Sequence, residues 1–271
     1  AMLDPDQARF LDVWTSAWAG LSPAASWDEQ RAFHEELADR LLDPALRDVP
    51  ERLVLVPFAG RYVPVRLFDG APDTAAARPC LVYLHGGGWV RGSSTTNRYV
   101  AAALARANRQ VVASVDYSLA PEQQFPVPVE ESIAATRWIF ANAATLDIAA
   151  RAIAIGGDSA GGNLAAAVAL EWEDETLYQT FHRAFVVSNP LSDYTLPLVS
   201  LVAGRKASRL LRAEFGEGDI EDLPLPFYCI SADLADGRAV VHDEGPLWRA
   251  LRATIAIPGI LPPVCSRGQV L

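Results

Sequence analysis

One stretch narrows the folds open to this chain more than any other: Ile153-Ala154-Ile155-Gly156-Gly157-Asp158-Ser159-Ala160-Gly161-Gly162-Asn163-Leu164. Short apolar residues run into glycine, then into Asp-Ser-Ala-Gly-Gly, then into an alanine-rich segment. That order predicts a strand, a sharp turn and a helix, with Gly157-Asp158-Ser159-Ala160-Gly161 fitting the G-x-S-x-G nucleophile elbow. A serine at a strained strand-to-helix turn leaves no room for Cβ atoms on its flanks, which explains Gly157 and Gly161. A helix starting at Ala160 points its first N–H groups at negative charge developing beside Ser159. An ordinary tight turn in a βα unit could carry the same letters, so the rest of the chain has to decide.

The chain around it alternates. Phe10, Val13, Trp14, Ala17, Trp18 and Leu21 share helical spacing, and Ser26-Trp27-Asp28-Glu29 is a capping box opening a second amphipathic helix through Phe33, Leu37 and Leu41. His34 lies beside that second stripe and reads as a surface residue. Residues 52–59 and 61–68 form a hairpin about Ala59-Gly60. Strands at 80–84, 111–115 and 153–155 then alternate with helices at 100–107 and 129–143, and only a parallel sheet covered on both faces accommodates such crossovers. The expected fold is therefore α/β: a three-layer α/β/α sandwich, its central sheet mainly parallel, with an N-terminal helical cap over residues 1–45. Beyond the elbow, Leu177, Phe181 and Phe185 mark one helical face and Leu210, Leu211 and Phe215 another. Residues 227–231 and 238–242 flank an Asp236-Gly237 hairpin turn, and Pro246 stands at N1 of a last helix.

Composition excludes several functions. With 33 acidic against 23 basic residues among 271, the net charge is −10 and no basic stripe is present. Nucleic acid and anionic membrane surfaces are thus poor partners. Cys80, Cys229 and Cys265 are odd in number and far apart, which argues against a disulfide framework and against a metal site, and fits a reducing, cytoplasmic setting. The acidic start has no signal-peptide pattern, and no apolar run approaches a transmembrane span. The glycine runs lack G-x-G-x-x-G spacing and a P-loop lysine, so no nucleotide cofactor, and no other cofactor, is expected.

His85-Gly86-Gly87-Gly88-Trp89 follows a buried strand directly. Consecutive glycines expose backbone N–H groups that no side chain shields, as an oxyanion hole requires, and the end of such a strand is where open sheets bind ligands. Together with Asp116-Tyr117-Ser118-Leu119-Ala120-Pro121-Glu122 and the elbow, this loop resembles the hormone-sensitive-lipase-like α/β-hydrolases, which are carboxylesterases, over about residues 3–170. The resemblance implies Ser159 as nucleophile and the N–H groups of Gly86, Gly87 and Ala160 as oxyanion hole. It also implies a structural His85, N-terminal helices capping the pocket, and a small apolar ester or lipid as substrate.

The family's acid and histidine motifs do not follow. Past the elbow stand His182, in an amphipathic helical stretch, and His242, at the end of the hairpin; His242 is the better candidate base. Ser188-Asn189-Pro190-Leu191-Ser192-Asp193-Tyr194, Leu225 to Ser231, Val241-His242-Asp243-Glu244-Gly245-Pro246-Leu247-Trp248 and Ile257-Pro258-Gly259-Ile260-Leu261-Pro262-Pro263 instead resemble patatin-like phospholipases of the branch related to neuropathy target esterase, over about residues 171–271. Such enzymes use a Ser–Asp dyad whose aspartate comes shortly after a segment like 257–264, and the chain stops at Gln269-Val270-Leu271, about where that aspartate is due. Asp69-Gly70 and Asp236-Gly237 read as turns.

The chain thus looks like a hybrid, with its junction between Ala165 and Glu171, in which an esterase-like half with cap and elbow is followed by a patatin-like segment. Two functions are expected of it: a serine ester hydrolase, or a catalytically impaired hydrolase scaffold that binds apolar ligands. Strands after the elbow that failed to extend the sheet would leave an exposed edge and favour a homodimer.

Overall fold

The computed structural model describes residues 5–171, 203–224, 226–235, 238–256, 262–266 and 269–271. The expected helical face at 177–185, His182, Asp236-Gly237 and the segment 257–261 lie outside the described residues.

Two amphipathic helices, α1 (Pro5–Ala19) and α2 (Trp27–Leu41), come first. The capping box that opens α2 forms as the sequence requires: the Glu29 N–H donates to Ser26 Oγ at 3.2 Å, and the Ser26 N–H donates to the Glu29 carboxylate at 2.7 Å. Strands β1 (Glu51–Phe58) and β2 (Arg61–Asp69) then pair as a hairpin. Ala59 and Gly60, with φ of 45° and 78°, make the left-handed turn that matches strand twist. The crossover units follow: β3 (Arg78–Leu84), α3 (Arg98–Asn108), β4 (Val111–Val115), α4 (Val127–Ala141), β5 (Ile148–Asp158) and α5 (Ala160–Glu171). After the undescribed stretch come α6 (Arg205–Phe215), β6 (Phe227–Ala232), β7 (Ala239–His242) and α7 (Leu247–Thr254), then a small pair, β8 (Cys265–Ser266) with β9 (Gln269–Val270). Pro246 is the N-cap of α7 rather than its first helical residue.

The seven-stranded sheet runs β1-β2-β4-β3-β5-β6-β7, with β4, β3, β5 and β6 parallel and β1, β2 and β7 joined antiparallel. Side-chain alternation sends Cys80, Val82 and Leu84 of β3 to one face, against α4, α5, α6 and α7, while Leu81 and Tyr83 face α3 on the other. Those are the three expected layers. The condition attached to a homodimer does not hold, because β6 joins the sheet in parallel with β5, placing Gly157 opposite Cys229 and Asp158 opposite Ile230.

α5 is apolar over most of its circumference. Leu164, Ala165, Ala166, Val168 and Ala169 are all buried, so the helix lies sandwiched between the sheet and α4 and α7. This burial anchors the turn that precedes it.

Candidate active site

Ser159 stands at the tip of the turn between β5 and α5, exposed, with φ of 51°. A left-handed serine costs about 1–3 kcal/mol and persists only where its surroundings over-determine it. Here the surroundings are backbone. A Cβ at Gly161 would stand 1.9 Å from the Leu84 carbonyl oxygen, and one at Gly157 would stand 2.3 Å from the same atom. Both glycines are therefore required by the close approach of the elbow to the end of β3. Ala160 is buried and opens α5, and its N–H makes no hydrogen bond among the described residues.

The His85–Gly88 loop continues β3 on the same rim. The Gly86 N–H donates to Asp158 Oδ1 at 2.8 Å, and the Tyr83 hydroxyl donates to the same oxygen at 2.6 Å. The residue before the nucleophile thus clamps the glycine loop in place. This changes the expectation for Gly86: its N–H is committed to a carboxylate, a stronger acceptor than a neutral ester oxygen. The Gly87 N–H has no partner among the described residues. Gly87 adopts φ of 129°, and a Cβ there would lie 2.0 Å from the Arg91 carbonyl oxygen, so only glycine fits. Burial and the nearby Asp158 charge push the Tyr83 hydroxyl well above its ordinary pKa, keeping it a proton donor. His85 is fully enclosed, stacked on Tyr117 at 4.3 Å, with Nδ1 2.8 Å from the Gly86 carbonyl oxygen. Desolvation holds its pKa below the usual value, as suits a loop support.

The Asp116–Glu122 motif acquires a physical reason. Asp116 accepts hydrogen bonds from the Ser94 N–H and hydroxyl, and Ser118 donates its N–H at 2.6 Å and its hydroxyl at 3.0 Å to Glu131. Glu131 is buried and also meets Arg61 at 2.7 Å. The Ala120 N–H reaches the Trp89 carbonyl at 2.8 Å. Arg31 of α2 donates to the carbonyls of Val90 and Ala120 and to Glu122, at 2.9, 2.7 and 2.9 Å. The motif is a brace tying cap, glycine loop and sheet together. Replacing Glu131 with alanine strands the Ser118 donors and leaves Arg61 unpaired. Urea unfolding is expected to show a loss of about 2 kcal/mol.

The cap corrects one expectation. His34 is not a surface residue: it packs edge-on against Trp14 at 5.4 Å and beside Trp18 at 5.8 Å, and its Nδ1 is buried without a hydrogen-bond partner. Trp18 in turn packs on Phe33 at 5.1 Å and lies under the Arg91 guanidinium at 5.3 Å. Trp14, Trp18, His34, Gly87 and Arg91 enclose a cavity of about 280 Å³. The sequence signal was available, since Trp14 and Trp18 one helical turn apart can flank a histidine of the next helix.

Desolvation first, then the charges of Arg91 and His85, lower the His34 pKa to about 4. The unfolded chain binds this proton below about pH 6.5 while the folded one does not, so stability falls as pH drops from 6.5 towards 4. Discounted for partial exposure, the loss is about 1 kcal/mol. Thermal melts at pH 7 and pH 4.5 should show a smaller acid-induced drop for His34→Phe than for the unchanged protein.

His242 is placed elsewhere. It lies on β7 opposite Cys229, two strands from Gly157, or about 10 Å at usual strand spacing. Its Nε2 is 2.8 Å from Ser231 Oγ. The structure thus gathers Asp158, Ser159, Ala160, Gly86, Gly87, Gly157 and Gly161 on one rim and leaves His242 bonded to Ser231. Among the described residues no group of side chains could hold a metal ion, and no helix is long and apolar enough to cross a membrane.

The family described as an alpha/beta hydrolase fold matches residues 81–215. Carboxylesterase NlhH of Mycobacterium tuberculosis is 36% identical over 174 residues, covering 64% of this chain and 52% of that protein. An uncharacterised NTE family protein of Mycobacterium tuberculosis is 38% identical over 116 residues, 43% of this chain and 20% of its own length. Among solved structures, the hyperthermophilic esterase of the archaeon Pyrobaculum calidifontis superposes with a TM-score of 0.57 at 33% identity, covering 65% of this chain and 56% of that one. The chain therefore spans about half the length of the curated carboxylesterase it matches and a fifth of the NTE relative. Its fold is that of the α/β-hydrolases, and its neighbours among solved structures are esterases.

Proposed function

We propose that this chain hydrolyses carboxylic esters through an acyl-Ser159 intermediate. Ser159 Oγ attacks the ester carbonyl, and the carbonyl oxygen, now negative, is received by the N–H groups of Gly87 and Ala160 at the start of α5. Collapse of the tetrahedral species expels the alcohol, and water then releases the acid from Ser159. Each oxyanion donor is worth about 3 kcal/mol in such a site. Asp158 and Gly86 hold the donor loop at the right height rather than contacting substrate. The observation that carries the reading is the strained, exposed Ser159 beside two N–H groups without partners. The curated carboxylesterase relative and the esterase neighbours support it. An aryl fluorophosphonate applied at pH 8 tests it: a covalent adduct on Ser159 is expected, and no adduct sinks the reading.

One observation favours a second reading. The proton of Ser159 needs an acceptor, and the proposed base, His242, is bonded to Ser231 instead. In that reading the chain is a hydrolase scaffold that binds apolar esters with little turnover. Its patatin-like segment from residue 171, suggested by the NTE relative, then supplies the sheet edge without supplying the base. Burst kinetics separate the two: an acyl adduct that forms and turns over supports the enzyme, while binding without a burst supports the scaffold.

A further inference from the structure

Arg91 has no role in the steps above, and its surroundings assign it one. It follows the glycine loop by one helical turn, its N–H reaching the Gly87 carbonyl at 3.1 Å. Its guanidinium lies over the Trp18 ring at 5.3 Å, and it lines the same 280 Å³ cavity as Gly87. Among the described residues it forms no ion pair. Its neighbour Arg31 shows what a structural arginine does in this region, being committed to two carbonyls and to Glu122. In a chain with ten more acidic than basic residues, a carboxylate to pair with Arg91 is not in short supply, yet none is placed there.

The cavity walls add to this. The indoles of Trp14 and Trp18 and the imidazole of His34 are flat and largely apolar, and they exclude water from one side of the guanidinium, which strengthens its pull on an anion. Trp18 Nε1 and His34 Nδ1 are both buried without a hydrogen-bond partner. A buried N–H in that state is destabilising unless a partner arrives, and in both cases the adjoining open space is this cavity. His34 is uncharged at neutral pH, so Arg91 is the only charged group among the lining residues. Room for about ten non-hydrogen atoms, at roughly 30 Å³ each, suits a short chain rather than a long acyl tail.

We propose that Arg91 and the cap aromatics form a carboxylate subsite, and that the preferred substrates are small esters whose non-reacting end carries a carboxylate, such as half-esters of short dicarboxylic acids. The proposal rests on the ester-hydrolase reading of Ser159 and deepens it. Gly87 belongs both to the oxyanion donors and to the cavity wall, so an ester carbonyl at Gly87 places a carboxylate a few bonds away beside Arg91. The guanidinium then grips it in the planar, two-pronged geometry that arginine favours.

The test uses the full chain carrying Ser159→Ala, so that ligands bind without turning over. Calorimetric titration with monoethyl glutarate and with diethyl glutarate compares an anionic and a neutral ligand of nearly equal shape. The anion is expected to bind at least tenfold tighter, with Arg91→Gln reducing that ratio to below threefold and Arg91→Lys restoring part of it. In the unsubstituted-Arg91 protein, raising the salt from about 0.05 to about 0.5 M should shrink the ratio as well, a readout that survives if Arg91→Gln fails to fold. Equal binding of the two ligands overturns the proposal, as does a preference that persists in Arg91→Gln or is indifferent to salt. Fluorophosphonate labelling of the unmodified protein reports separately on Ser159. An adduct without an Arg91-dependent preference leaves the hydrolase standing and removes the subsite. A preference without an adduct does the reverse.

Discussion

Replacing Ser159 with alanine is expected to abolish the fluorophosphonate adduct and to lower hydrolysis of a short-chain nitrophenyl ester by about 10⁴-fold or more. The remainder, about 10³ to 10⁴ above water, belongs to the oxyanion donors and to binding. The loss should fall on kcat, because the exposed serine hydroxyl makes no hydrogen bond in the resting protein on which substrate binding could depend. A companion substitution separates chemistry from strain. Ser159→Gly removes the nucleophile too, but it also relieves a left-handed backbone that alanine retains, and so should raise the melting temperature above that of Ser159→Ala. Unchanged hydrolysis in both proteins would move the nucleophile elsewhere. A melting order opposite to this one would mean that the turn is not strained.

Gly161→Ala carries the largest expected effect on stability. The added methyl would sit 1.9 Å from the Leu84 carbonyl oxygen, and the contact is backbone to backbone, with no flexible side chain to swing aside. Relief requires α5 or β3 to move. α5 is packed against the sheet through Leu164, Ala165, Val168 and Ala169, and β3 lies at the centre of the sheet between β4 and β5. Such overpacking reaches or exceeds the usual upper figure of about 3 kcal/mol. The expected result is loss of soluble protein, or a urea midpoint far below that of the unchanged chain. Gly162→Ala, one residue along, is the control: its Cβ would approach only to 3.2 Å of the Gly157 carbonyl oxygen, and it should be tolerated far better. Equal stability of the two variants would contradict the close approach of elbow and strand.

Much of the first 171 residues was legible because their patterns are local. The capping box at Ser26, the left-handed pair at Ala59-Gly60 and the five-residue strand at Val111–Val115 each depend on neighbours within a few positions. The elbow was legible for the same reason, its glycines reporting a close approach that few other arrangements demand. His34 was misread because its environment comes from another helix: Trp14 and Trp18 reach it from α1, and Arg91 from beyond three strands. Gly86 was assigned to the oxyanion hole because a glycine run advertises free N–H groups, and nothing local reveals that the Asp158 carboxylate, 72 residues away, takes one of them. His242 was chosen by elimination among histidines. Its bond to Ser231 depends on the diagonal register of β6 against β7, which no motif encodes.

Local chemistry in the chain was thus enough to name the layer architecture, the turn that carries Ser159 and the glycine loop that faces it. Steric demands and periodicity act over a few residues and can be read in one dimension. Folding in three dimensions settled which of those N–H groups stay unpaired, where the histidines go, and which arginine is left uncommitted in the aromatic cavity beside Gly87. Those outcomes follow from competition between distant partners for the same donors and acceptors, and only the packed structure brings the competitors within reach of one another. The elbow at Ser159 was written in the sequence; the company it keeps was decided by the fold.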